Sequence, residues 1–173
     1  MDFSLSSTVR CSPGDSRETG GVNISAKSDY AIRAMLALAA TDGAKPIKGE
    51  TLATVQQIPV KFLENILLDL RRSGLVASQR GAEGGYRLSR PAAEITLADV
   101  IRAVDGPLAN IRGIRPESAE YNGPATSLRD VWVAMRAALR SVLEKVTLAD
   151  VASSTLPDEI QTVLADPDVW EPH

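Results

Sequence analysis

Cysteine and histidine occur once each in the 173 residues, as Cys11 and the final residue His173. A single thiol excludes an intramolecular disulfide framework, and the two residues give no metal-ligand spacing. No run of about 18 consecutive apolar residues occurs, so no membrane span is expected. The first residues lack a basic stretch followed by an apolar one, so no signal peptide is expected, and the chain reads as cytoplasmic. A phosphate-binding glycine loop is missing, and so is an acid/base set placed on a predicted pocket. An enzyme is therefore not expected; carboxylates such as Asp99 and Asp105 are accounted for as surface helix charges.

What is present is enough apolar material for a core, 44% of the chain, in a length suited to one domain with appendages or two small units. The net charge of -3 runs against a nucleic-acid binder, but the charge is unevenly spread. Residues 23–91 carry ten Lys/Arg and six Asp/Glu, whereas residues 92–173 carry seven and thirteen. A basic module joined to an acidic one suggests that one end meets a polyanion.

Residues 1–22, rich in Ser, Gly and charge without apolar periodicity, read as a disordered tail carrying a solvated Cys11, or as an over-extended start with the working protein beginning near Val22 or Asn23. Ser25 is placed to cap a helix over 26–41, which Gly43 ends, with Ile32, Met35, Leu36, Leu38 and Ala39 mostly on one side. Lys45–Lys48 suits a brief edge strand. Helix 50–55 follows, with Leu52, Ala53 and Val55 inward, then the turn QQIP, with Pro59 as a first helical residue. Helix 60–73 repeats apolar residues at Phe62, Leu63, Ile66, Leu67 and Leu70, a buried stripe ended by Gly74. The period then changes to strand-like runs over 75–79 and 86–90, separated by RGAEGG at 80–85, a hairpin with a flexible, partly basic tip. Thr96 starts a helix over 97–105. Residues 106–126, with three prolines and three glycines, form a long loop of the kind that often carries function. Helix 127–146 places Leu128, Val131, Met135, Leu139, Val142 and Val146 at steps of 3, 4, 4, 3 and 4, a coiled-coil-like seam that wants a partner helix. Thr147 starts a short helix, and the last twenty residues are acidic, proline-punctuated and weakly helical.

The order helix, short strand, helix, tight turn, helix, strand, glycine-rich hairpin, strand is that of a winged helix-turn-helix. The fold class is mostly α with a small β-hairpin wing and a long dimerisation helix. A helix fits the major groove and offers side chains to base edges, while a hairpin beside it reaches phosphates or the minor groove. Helix 60–73 is the candidate recognition helix, with Lys61, Glu64 and Asn65 near its start and Arg72 on an outer face. Arg80 at the wing base is the candidate minor-groove reader, and Gly81, Gly84 and Gly85 let backbone approach phosphate. The alternatives stay open: Glu64 and Asn65 as solvated helix residues, Arg80 balancing Glu83, Arg71 and Arg72 complementing the helix dipole.

The segments ISAKSDYAIRAMLALA and IPVKFLENILLDLRRSGLVASQRGAEGGYRLSRPAAEITLADVIRAVDG resemble the IscR/NsrR/CymR-type winged-helix regulators over roughly residues 24–107, and more weakly through helix 127–146. The resemblance implies a homodimer, with the long helix crossing to the partner, on a palindromic double-stranded operator. It implies base contacts from Lys61 and Glu64 and a minor-groove arginine at Arg80. It also sets Ser25, Tyr30 and Phe62 near the DNA backbone, Phe62 standing for a more usual tyrosine. Many members hold an iron–sulfur cluster through three cysteines in the loop before the long helix. Here no cysteine lies between residues 12 and 173, so no cofactor and no metal are expected.

The expected units are a tail at 1–22, a DNA-binding domain at 23–105, an effector or linker loop at 106–126, dimerisation helices at 127–152 with Trp132 beside the seam, and an acidic tail at 153–173. In the loop, Arg112, Arg115, Tyr121 and Asn122 suit a small anionic effector or a partner's carboxylate. Alternatively the arginines pair with Glu117 and Glu120, and Trp132 is dimer core. Cluster-free members of the resembling family include repressors of sulfur and cysteine metabolism, some acting through a partner enzyme. The function implied is a homodimeric DNA-binding repressor of that kind. The alternative is a winged-helix interaction module that has lost DNA binding and answers to a small anionic ligand or a partner enzyme; such a module is expected to lose the wing arginine and glycines, and this chain keeps them.

Overall fold

The computed structural model describes residues 24–41 and 45–171, and the readings made for residues 1–23, including Cys11, and for Gly43 fall outside them. Helix α1 (Ala26–Ala39) begins at Ser25, whose side chain accepts from the Ser28 N–H at 2.9 Å. Helices α2 (Gly49–Gln56) and α3 (Val60–Arg72) follow, then strands β1 (Val76–Gln79) and β2 (Gly85–Leu88). These strands pair antiparallel, Val76 opposite Leu88 and Gln79 opposite Gly85. The edge-strand expectation for 45–48 contracts to one residue: Ile47 exchanges two backbone hydrogen bonds with Tyr86, at 2.9 and 2.8 Å. Helix α4 (Leu97–Asp105) starts at Thr96 in a capping box with Asp99.

One apolar cluster joins these elements. It takes Ala31, Ala34, Met35 and Leu38 from α1, Leu52 and Ala53 from α2, Leu63, Ile66, Leu67 and Leu70 from α3, Val76 from the wing, and Val100 and Val104 from α4. Three expectations need correction. Pro59 is the residue before α3, not its first: with φ -56 and ψ 127 it stays extended, and its carbonyl accepts from the Phe62 and Leu63 N–H groups. Phe62 leaves the buried stripe and is 40% exposed. Val55 is exposed, since two helical steps carry it about 200° round α2 from buried Ala53.

The long helix α5 (Leu128–Leu143) is shorter than expected and has no fully buried residue. Its seam divides. Val131 and Val142 are exposed, while Trp132, Met135, Leu139 and Leu143 turn toward a cavity against α4. Val146 drops out of the proposed dimer seam altogether, because it lies beyond the end of α5 and is buried in its own chain. There its carbonyl accepts from the Leu97 N–H at 2.9 Å, and the next bond, Leu148 N–H to the Ile95 carbonyl, is also 2.9 Å. Helix α6 (Leu148–Ala152) consequently puts Leu148 into the main cluster. By packing it closes the core of the module at 24–105 rather than extending the dimerisation unit. The acidic tail holds a further short helix, α7 (Asp158–Leu164).

The start of α5 is held as firmly. Pro116 and Ala119 of the preceding segment are buried, Trp132 Nε1 donates to the Tyr121 hydroxyl at 3.0 Å, and Arg136 pairs with Glu117. At its far end Glu144 accepts from Arg140 on α5 and from Arg102 on α4. Those two bonds, Arg140 first, hold the Glu144 carboxyl down at about 2 from an ordinary 4.5. A depressed carboxylate stabilises the fold above its unfolded pKa, and that contribution is lost as pH falls through the folded one. The Glu144 contribution should therefore vanish between about pH 4.5 and 2. Exposure and salt screening keep it small. Glu144→Gln is expected to flatten melting temperature against pH in that window at low ionic strength; an acid limb of unchanged steepness would remove this pair from the account of acid sensitivity.

Candidate nucleic-acid interface

The turn between α2 and α3 is built by Gln57 in the left-handed region (φ 53), then buried Ile58 and extended Pro59. Pro59 has no side chain with which to cap α3, and the first turn carries no acid. The N–H groups of Val60 and Lys61 thus have no acceptor among the described residues. Such a helix start is a positive end open to an anion. Lys61, Glu64 and Asn65 are exposed around it.

Phe62 stands edge-on to Tyr30 of α1, ring centres 5.7 Å apart. The Arg33 guanidinium lies 5.5 Å from the same Tyr30 ring, pairs with Asp29 at 3.4 Å and donates to the Gln56 carbonyl at the end of α2. Arg33 was not among the residues singled out from sequence. Its spacing of three from Tyr30 and four from Asp29 on one helix was the available signal. Ser25 is drawn elsewhere. Its hydroxyl caps α1 and donates to Asp105, so it belongs to the end where α1 meets α4. Arg72 is exposed and lies 3.7 Å from Asp69, while Arg71 reaches the Ser78 hydroxyl on the wing at 3.4 Å.

Arg80, expected at the wing base, is the first residue of the turn between β1 and β2 and is exposed, and among the described residues neither it nor Glu83 enters an ion pair. Gly81 stands in open space. Gly84 and Gly85 do not, which corrects their reading as phosphate approaches. A Cβ on Gly84 would sit 2.4 Å from the Gln79 carbonyl oxygen, and one on Gly85 would sit 2.5 Å from that of Ile47. Both neighbours are backbone and have little room to yield. The protein's own chain is a sufficient reason for glycine at these two positions.

The segment 106–126 is more ordered than a loop. Ile111 and Ile114 exchange backbone hydrogen bonds at 2.9 and 3.0 Å around Arg112 (φ 51) and Gly113 (φ 79), a two-residue turn with both angles positive. Arg112 lies 5.6 Å from the Tyr121 ring. Arg115 and Asn122 are exposed. Glu117 is lowered from its ordinary range first by its own backbone N–H and then by Arg136, which is its ion-pair partner in place of Arg112 or Arg115. Behind this turn a cavity of about 450 Å³ opens between α1, α4 and α5. Its lining includes Ser25, Ser28, Ile101, Asp105, Leu108, Ile111, Arg112, Trp132, Met135 and Leu139.

The family model that matches residues 24–154 is described as Rrf2, an iron-dependent transcriptional regulator. A Mycobacterium tuberculosis protein named as a candidate HTH-type transcriptional regulator is 50% identical over 145 residues, covering 84% of this chain and 90% of that one. The HTH-type transcriptional regulator CymR of Bacillus subtilis is 35% identical over 134 residues, covering 78% and 92%. Among solved structures, CymR, described as the global cysteine regulator of B. subtilis, superposes with a TM-score of 0.66 at 36% identity over 78% of this chain and 99% of that one. T. potens IscR gives 0.63 at 31% identity over 78% and 88%. The iron in the family description finds no cysteine among the described residues. Among the described residues no group of three or more His, Cys, Asp or Glu is placed to hold a metal, and the carboxylates within residues 106–126 are Glu117, already paired with Arg136, and Glu120. This donor set does not fit an iron–sulfur cluster. With a winged-helix fold, an exposed start to α3 and relatives that are regulators rather than enzymes, this chain belongs to the Rrf2 family of DNA-binding transcriptional regulators.

Proposed function

We propose that the protein is a homodimeric, sequence-specific repressor that binds a palindromic operator without an iron–sulfur cluster. In this reading it controls genes of sulfur or cysteine metabolism and answers to a small-molecule or protein effector through the segment 106–126. One observation carries the DNA-binding part: Lys61, Glu64, Asn65 and Arg80 are all exposed and, among the described residues, none of their side chains bonds to another side chain or to a carbonyl. Polar groups left unsatisfied at the start of a recognition helix and on a wing are free to be satisfied by base edges and phosphates. The dimer is supported by Val131 and Val142, which are eleven residues apart and so on one side of α5. The pathway rests on likeness to a protein described as a global cysteine regulator.

Fluorescence anisotropy of the full chain, as purified, on its own promoter DNA tests the reading. Affinity should fall steeply with salt as phosphate counterions are released. Arg80→Ala should weaken operator binding about tenfold, on the order of 1.4 kcal/mol. Binding that is indifferent to DNA sequence and to Arg80 would instead favour the interaction module.

A further inference from the structure

Asp105 and Arg112 both line the 450 Å³ cavity, and they carry opposite charges. They make no ion pair with each other, and neither pairs with another charged group among the described residues. Asp105 Oδ2 accepts from the Ser25 and Ser28 hydroxyls, the latter at 2.6 Å, and Ser28 is fully buried. Arg112 is held by its turn and by the Tyr121 ring, which Trp132 anchors. Much of the remaining lining is apolar, including Leu108, Ile111, Met135 and Leu139. Both residues are exposed, and a carboxylate and a guanidinium on the lining of one mostly apolar cavity complement a ligand that carries both charges on an apolar body.

We propose that this cavity binds a small zwitterion of the α-amino-acid class, with its ammonium at Asp105, its carboxylate at Arg112 and an apolar side chain against the walls. The proposal deepens, and rests on, the reading of the protein as an effector-controlled regulator. It replaces the purely anionic effector with one that needs both charges. The site also has a route to the recognition helix. Lys27 Nζ donates to the Val104 carbonyl at 2.6 Å, next to Asp105, and to Asp69 of α3 at 2.8 Å. A ligand that takes up Asp105 alters the α1–α4 contact that this lysine shares with α3.

The two tryptophans are Trp132 and Trp170, so Trp170→Phe leaves the cavity residue as the only indole reporter in the full chain. L-Leucine at millimolar concentration is expected to change Trp132 emission saturably. Its single-charge analogues, 3-methylbutylamine and 4-methylpentanoate, should each bind at least about tenfold more weakly, as should L-leucine to Asp105→Asn and to Arg112→Gln. The amine binding as tightly as leucine would overturn the Arg112 end, and the acid doing so would overturn the Asp105 end. No response to any of the twenty amino acids overturns the proposal. So does a response confined to a monomeric variant, which would mean that a second copy of the chain covers the cavity. Operator binding measured without ligand separates the outcomes: specific, salt-sensitive binding with no amino-acid response leaves the regulator standing and removes only this ligand class. Lys27→Met should keep leucine binding while abolishing its effect on operator affinity; an effect that persists would show that the coupling runs elsewhere.

Discussion

Glutamate at both Val131 and Val142 is expected to give a folded monomer whose operator affinity is at least about 100-fold weaker, because the second half-site is no longer engaged at high effective concentration. Both positions are exposed in the single chain, at 55% and 41%. New charges there cost the monomer little but would be desolvated across a helix pair. Leu139, at the centre of the seam read from sequence, is a worse probe. It lines the cavity inside its own subunit, so a charge there would disturb the fold and the assembly together. Sedimentation beside thermal unfolding checks the pair of substitutions. A protein that remains dimeric with an unchanged melting temperature would put the interface on another face.

Ile66→Ala should be a strongly destabilising truncation in α3. Ile66 is fully buried on the inner side of α3, among Leu63, Leu67 and Leu70. Loss of an isoleucine to alanine in a closed core costs about 2–5 kcal/mol, transfer and cavity together, against a total stability of about 5–15 kcal/mol. The urea midpoint should drop accordingly with little change in slope. Because the inward residues seat α3 against α1 and α4, the loosened helix should also bind the operator less tightly at temperatures where the protein is still folded. A cost below about 1 kcal/mol would mean that the neighbours collapse into the space.

Most of the fold was legible because its signals are local. Ser25 and Thr96 are caps, the period of Leu63, Ile66, Leu67 and Leu70 is helical, and RGAEGG separates two short runs of strand character. The residues misread are those whose role is set by distant chain. Val146 matches a heptad step, yet its carbonyl is claimed by Leu97. Gly84 and Gly85 look like openings for a phosphate until the Ile47 and Gln79 backbones are seen to fill the space. Arg112 and Tyr121 are visible in the loop, and Asp105, read as a surface helix charge, is exposed as that reading expects. Nothing in the spacing of Asp105 and Arg112 says that both face one cavity. Arg33 has one local partner, Asp29, but its bond to the Gln56 carbonyl comes from another helix and leaves no mark in the spacing.

Helix α5 is tied to the preceding segment by the Trp132–Tyr121 and Arg136–Glu117 contacts, and after its last turn by Glu144 and the Val146–Leu148 return into the core. In a dimer joined through this strut, the two recognition helices would be carried at a fixed separation and a fixed angle, with no slack between body and crossbar. The protein would then act as a calliper on the double helix. Adding one base pair at the operator centre moves the outer half-site about 3.4 Å along the axis and, at about 10–10.5 base pairs per turn, rotates it by roughly 35°. A rigid calliper has to meet that change by bending or twisting the DNA, so the distance between half-sites is as much a part of the recognised sequence as the bases themselves.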